Sequence, residues 1–152
     1  MLDSTIDDSD FSKLMQKHIQ EFIIHFFHKE QNFGVLCSIE DVFFEPKLPK
    51  NIADDFRPLT LFFLAGYTFE SAHIQDDYLV FEAGFGADNF GSIVSVPLTS
   101  ILQVIVDETP LLINLATHKI EDVPKVKASP KGIQDSMASF LSNPENSKFI
   151  NK

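Results

Sequence analysis

The stretch Phe81-Glu82-Ala83-Gly84-Phe85-Gly86, followed after a short polar loop by Ile93-Val94-Ser95-Val96-Pro97-Leu98, decides the fold. Apolar and small residues on either side of a glycine-bearing turn predict two antiparallel strands, and Pro97 suits the first position of a short helix running through Gln103. A hairpin of this kind can offer an apolar trough to an extended peptide.

Outward from it the pattern repeats. Phe69 to Ile74 and Tyr78 to Phe85 flank Gln75-Asp76-Asp77 and predict a second hairpin. Leu59 to Tyr67 predicts a long strand with Leu59, Leu61, Phe63 and Ala65 on one face and Phe62 and Leu64 on the other, both faces at least partly covered. Val35 to Ile39 and Val42 to Phe44 also favour strand, before a loop punctuated by Pro46 and Pro49 and a helical turn at Ile52 to Phe56. Asp107 to Pro110 marks a turn, after which Leu111 to Ala116 closes the sheet.

Phe11, Leu14, Met15, Ile19, Phe22, Ile23, Phe26 and Phe27 recur at three and four residues, which predicts one amphipathic helix. Asp8, Ser9 and Asp10 suit its start, His28 and Lys29 its end, and Asn32-Phe33-Gly34 the stop. The stripe is wide enough to pack on its own sheet and to meet a symmetry mate, so Phe11, Met15, Ile19, Phe22, Ile23 and Phe26 are candidates for a homodimer contact. A helix followed by five or six short antiparallel strands makes an α+β fold, a small, partly open barrel.

Beyond Thr117 lysine, proline, serine and asparagine dominate, with only a weak amphipathic patch at Ile133, Met137, Phe140 and Leu141. The expected organisation is an acidic N-terminal segment 1–10, a globular domain 11–117, and a linker with a flexible C-terminal tail over 118–152. A length of 152 residues with 44% hydrophobic content has room for one packed core.

Twenty-two acids against 12 Lys and Arg give a formal charge of −10, which repels phosphate backbones and argues against nucleic acid as a partner. The longest apolar runs fall short of the roughly 18 to 20 residues a membrane helix needs. The acidic N-terminus lacks the basic and apolar segments of a secretory signal, and a single cysteine, Cys37, agrees with a reducing compartment, so a cytoplasmic location is expected. Alternating apolar neighbours make Cys37 a buried structural thiol.

No enzyme signature stands out in the sequence. Gly84-Phe85-Gly86 lacks the third glycine of a dinucleotide fingerprint, and no phosphate loop occurs. His25 and His28 share a helix face but have no carboxylate or thiol set at metal-ligand spacing, so neither a metal nor a cofactor is expected. The pairs Asp7-Asp8, Asp54-Asp55 and Asp76-Asp77 could serve acid–base chemistry across a cleft, yet capping and turn roles explain them better. No catalytic residue is assigned.

Phe81-Glu-Ala-Gly-Phe-Gly, Ile93-Val-Ser-Val-Pro-Leu and Ile101-Leu102 together resemble the SspB family of ClpXP protease adaptors. The resemblance implies an N-terminal dimerising helix, an Sm-like β barrel that binds the ssrA degradation tag, and a tail that docks on the ClpX unfoldase. It places Ala83 as the small residue of the peptide groove and Phe85 and Gly86 as its wall and turn. Leu48-Pro49 and Ala53 match a valine-proline and alanine segment, which puts Ile52 where the family often has an aromatic residue. Gly84 stands where arginine is expected, Ala87 replaces a second glycine, and the loop from Ala87 to Gly91 is longer. Lys148-Phe149-Ile150-Asn151-Lys152 is similar to the family's ClpX-binding terminus. The implied function is an adaptor that holds a tagged chain and delivers it to the protease by tethering. The alternative is a small-barrel interaction module with a different peptide or protein ligand.

Overall fold

The computed structural model describes residues 2–116 and residue 118. The chain divides into one compact unit ending at Thr117 and a second from His118 onward; the predicted tail, its patch at Ile133 to Leu141 and the terminus Lys148 to Lys152 lie outside the described residues. The fold is α+β, with N-terminal helices followed by antiparallel strands.

A short helix α1 (Leu2–Ile6) lies within the acidic segment and leads into α2 (Ser9–His28). Asp8 caps α2, its Oδ1 accepting from the Asp10 amide at 3.1 Å. The helix ends earlier than Gly34. Glu30 takes a left-handed φ of 52°, its amide donates to the Phe27 carbonyl, and the Gln31 amide donates to the Phe26 carbonyl. This double bond across the last turn is a Schellman cap with glutamate in the place glycine usually holds. Gly34 belongs instead to the first strand.

Among the described residues eight strands make two separate four-stranded antiparallel sheets. The first sheet has the order β3-β1-β7-β8, from β1 (Phe33–Ser38), β3 (Leu59–Leu64), β7 (Ile101–Val106) and β8 (Thr109–Ile113). The second has the order β2-β6-β5-β4, from β2 (Phe43–Glu45), β4 (His73–Gln75), β5 (Tyr78–Phe85) and β6 (Phe90–Pro97). Helix α3 (Lys50–Ala53) follows β2, and α4 (Tyr67–Ser71) follows β3.

Both two-residue hairpin turns are acidic. Asp76 and Asp77 between β4 and β5, and Asp107 and Glu108 between β7 and β8, all have positive φ, as a turn matched to strand twist demands. The Asp76-Asp77 pair is therefore turn chemistry, and Asp7-Asp8 is absorbed by the entry to α2.

The core lies between the inner faces of the sheets and is covered by α2. Ile19, Ile23 and Phe26 of α2 join Phe33, Val35 and Cys37 of β1, Leu64 of β3, Leu79 and Phe81 of β5, and Val94 and Val96 of β6. The Phe62 and Phe81 rings meet edge to face at 5.7 Å, linking one sheet to the other.

Three further expectations are corrected. The strand from Leu59 stops at Leu64, because Gly66 turns at a φ of 59° and starts α4, which takes Phe69 out of the strand pattern. The helix after Pro97 is one 3₁₀ turn, Leu98–Ser100, and Ile101 to Val106, rich in β-branched residues, is a strand. The Asn114 amide group fixes that junction by donating to the carbonyls of Thr99 and Ile101. The third correction concerns β3. Phe62 and Leu64 are buried, but Leu59, Leu61 and Phe63 on the other face are exposed.

Candidate peptide-binding site

The β5–β6 hairpin runs in unbroken register from Tyr78↔Pro97 to Phe85↔Phe90. Strand periodicity puts Leu79, Phe81, Ala83 and Phe85 on the inner face, and Val80, Glu82 and Gly84 on the outer one. Ala83 and Phe85 are half-buried and packed against the core, while Gly84 and Gly86 are exposed. Ala83 pairs with Ser92, whose hydroxyl donates to the Pro46 carbonyl at 2.9 Å and so holds the proline-rich loop beside it.

That loop enters α3, whose Ile52 reaches the turn of the hairpin. A Cβ built on Gly86 would stand 2.9 Å from Ile52 Cδ1, and Gly86 has a φ of 74°. Both facts require glycine there. The structure thus brings Ile52, Phe85 and Gly86 together, with Ala53 exposed on the same short helix. Beneath them is an aromatic floor. Phe44 stacks on Phe56 at 5.8 Å, and Phe85 meets Phe44 at 5.6 Å and Phe56 at 5.8 Å edge to face.

The other long edge of β5 matters most. β4 pairs only with Tyr78, Leu79 and Val80, so it ends before the site. The Glu82 amide, next along that edge, donates to Ser71 Oγ of α4 at 2.9 Å. Main-chain groups of alternate residues point the same way along a strand, so those of Gly84 point to the same edge as those of Glu82. Among the described residues no strand pairs with β5 there beyond Val80.

Polar groups mark the rim. Tyr67 Oη donates to Glu82 Oε2 at 2.6 Å, and this bond, with some burial, pushes the phenol up to about 12. Asn89, at a φ of 51°, lies against Gly84, and a Cβ on Gly84 would collide with its Oδ1. The side-chain volume that arginine would occupy in the resembled pattern is therefore closed by Asn89.

The sequence alone does not mark Asn89, Ser71, Ser92 or the rings of Phe44, Phe56 and Phe62, the last packed on both of the others, as site residues. Ser92 faces Ala83 across the hairpin, Asn89 lies in the hairpin's own turn and Ser71 comes from α4, while Phe44, Phe56 and Phe62 arrive from segments distant in sequence.

The remaining candidates fall elsewhere. Of the helix set, Ile19, Ile23 and Phe26 are in the protomer's own core, Met15 and Phe22 are half-buried against it, and Phe11 is half-buried. His25 and His28 are exposed in the last turn of α2. Cys37 is fully buried, and burial, with a smaller contribution from Asp41, pushes its thiol up to about 12. Such a thiol is a poor nucleophile at neutral pH. Among the described residues no helix is long and apolar enough to cross a membrane.

No family model, curated protein or solved structure matches the chain.

Proposed function

We propose that this domain is a peptide-binding adaptor that takes an unstructured, ssrA-like degradation tag and delivers tagged chains to the ClpXP protease. The observation that carries the reading is the uncovered edge of β5 at Gly84, beside the small residue Ala83 and the aromatic floor. An extended peptide adds there as a further strand, its main chain bonding to Gly84 and its inward side chains lying next to Ala83 and Phe85. Small side chains fit and large ones meet the Phe44 and Phe56 rings.

The resemblance to the SspB family supplies the identity of tag and protease, and the Sm-like barrel as the scaffold. In that scheme the segment ending in Lys148 to Lys152 docks on the unfoldase. Two weak contacts joined by a linker raise effective concentration, so delivery requires no chemistry by the adaptor.

Asn89 over Gly84 and Ile52 over Gly86 support a second reading, in which the groove takes another peptide. The same experiment separates the two. Fluorescence anisotropy of a labelled ssrA peptide is titrated with the full chain and with Ala83→Gln, whose folding is verified by its melting curve. Saturable binding by the native chain, weakened about tenfold or more in the variant, is expected from a long side chain filling the trough. Saturable binding unchanged by the variant would overturn the groove. No binding by the native chain would favour the other ligand.

A further inference from the structure

The strands at the ends of the two sheets are guarded unequally. Edge strands are normally kept short, charged, bulged or interrupted by proline, because their unpaired main chain invites a further strand. β2 and β4, at the ends of the second sheet, are three residues each. β8 holds Pro110, and its pairing with β7 shifts register between Val104 and Ile105. β3 has none of these guards. It is six residues long, Leu59-Thr60-Leu61-Phe62-Phe63-Leu64, and pairs with β1 without a break from Phe33↔Leu64 to Ser38↔Leu59. Among the described residues no strand pairs with its other side.

The side chains along that edge are apolar and open. Leu59, Leu61 and Phe63 on its outer face are between 52% and 61% exposed. Leu61 leans inward over β1, its Cδ1 being 3.0 Å from where a Cβ on Gly34 would stand, so glycine at that position keeps the leucine off the free edge.

Charge is absent from the first sheet and gathers at both of its ends. None of its four strands contains Asp, Glu, Lys or Arg. Where β3 begins, Glu40 and Asp41 follow β1 and Asp54 and Asp55 come ahead of β3, against Arg57; the Ile39 amide, donating to the Pro58 carbonyl at 2.9 Å, ties the two segments together. Where β3 ends, Phe63, Gly34 and Ile105 share a row, and beyond it are Asp107 and Glu108 of the β7–β8 turn and Glu30 ahead of β1, against Lys29.

We propose that the free edge of β3 takes an extended, uncharged apolar segment of another protein, flanked on both sides by lysine or arginine. About six residues match the roughly 20 Å length of β3. Their main chain bonds to the edge, and alternate side chains continue the row of Leu59, Leu61 and Phe63. The flanking cations then meet the acids at either end. A second copy of this chain fits the edge poorly, since antiparallel pairing of β3 with itself brings acidic ends together in chains of formal charge −10. A bilayer has no partners for main-chain groups. This second site is distinct from the groove at Gly84 and does not rest on it.

The probe is a fluorescent peptide of about six alternating Val and Thr residues between paired lysines, its anisotropy followed as the full chain is added. Leu61→Lys and Phe63→Lys charge the edge, each backing up the other should one melt early, and Leu111→Lys and Ala83→Gln are run beside them. Saturable binding by the native chain is expected, weakened about tenfold or more by either β3 variant and unchanged by Leu111→Lys and Ala83→Gln. Salt should weaken it, and a peptide with glutamates for lysines should bind about tenfold or more weakly. A native chain that binds no peptide would overturn the proposal, even if it self-associates or sediments with phosphatidylcholine vesicles through the same residues. Binding indifferent to both β3 variants, or lost in Ala83→Gln, would overturn it as well. Each of these results leaves the titration with the ssrA peptide to be read on its own.

Discussion

The two sheets are alike in size and in their antiparallel pairing, and they differ in what their outer faces show to water. The second carries Glu45, Glu82 and His73 along its strands, with Tyr67 bound to Glu82 at the rim. The first carries no charge at all, and half of β3 stands exposed as Leu59, Leu61 and Phe63. An antiparallel sheet with one wet face normally alternates apolar and polar residues. The second sheet follows that rule loosely, and the first breaks it. The contrast separates two uses of an edge: a main-chain edge left open at Gly84, and a side-chain face left open on β3.

The sharpest way to break the comparison uses neighbours on one strand. Leu64→Asp puts a carboxylate into the core and should cost more than about 4 kcal/mol, enough to unfold a domain of ordinary stability. Phe63→Asp, one residue away on the outer face, should cost about 1 kcal/mol or less in the monomer. Denaturant melts at low protein concentration check both, and similar costs would mean that the outer face is not free.

A smaller effect is expected at the hairpin turn. Gly86→Val forces a branched side chain into a left-handed backbone and against Ile52, for about 2 kcal/mol. Equilibrium melts should show the loss, and the anisotropy of the bound tag should fall with it as α3 is displaced.

The smallest effects concern pH, and they have opposite signs in the two sheets. Burial of His73, partly offset by hydrogen bonds to Ser71 and Gln75, lowers its pKa from 6.5. The unfolded chain then binds the proton more tightly than the folded one, so this contribution is complete above pH 6.5 and is lost as pH falls below it. Cys37 in the first sheet is raised from 9.0 to about 12, so its contribution is complete below pH 9.0 and is lost on going alkaline. Melting curves across pH should show His73→Gln flattening the acid limb and Cys37→Ala the alkaline limb. The buried thiol should also resist alkylation at pH 8 until denaturant is added.

Much of the frame was legible from the residues themselves. The stripe from Phe11 to Phe27 gives α2, and the alternation around Phe81 to Phe85 and Ile93 to Val96 gives the two strands of the central hairpin, though not the register that begins at Phe85↔Phe90. The departures share a cause. Local sequence makes Gly34 a helix stop, Phe69 strand and Ile101 helix, because neighbours along the chain carry no long-range contact. Glu30 could cap α2 by taking a left-handed φ, Gly34 was needed to make room for Leu61, and Asn114 pinned the chain at Ile101 from across a turn. Of the candidate site, Ala83, Phe85, Gly86 and Ile52 come from the resemblance and not from the residue pattern. Asn89 depends on the conformation of the hairpin's own turn, Ser71 on the packing of α4 against β5, and the aromatic floor on pairing of remote strands, and no local pattern carries any of the three.

The proposed adaptor role stands on the free edge of β5 accepting an extended peptide. Amide spectra of the ¹⁵N-labelled chain, recorded while an unlabelled ssrA peptide is added, address it directly. The Gly84 amide is expected to shift toward a hydrogen-bonded position and to become protected from exchange, with smaller changes at Ala83 and Phe85. A peptide that binds while the Gly84 amide stays unshifted and freely exchanging would contradict it.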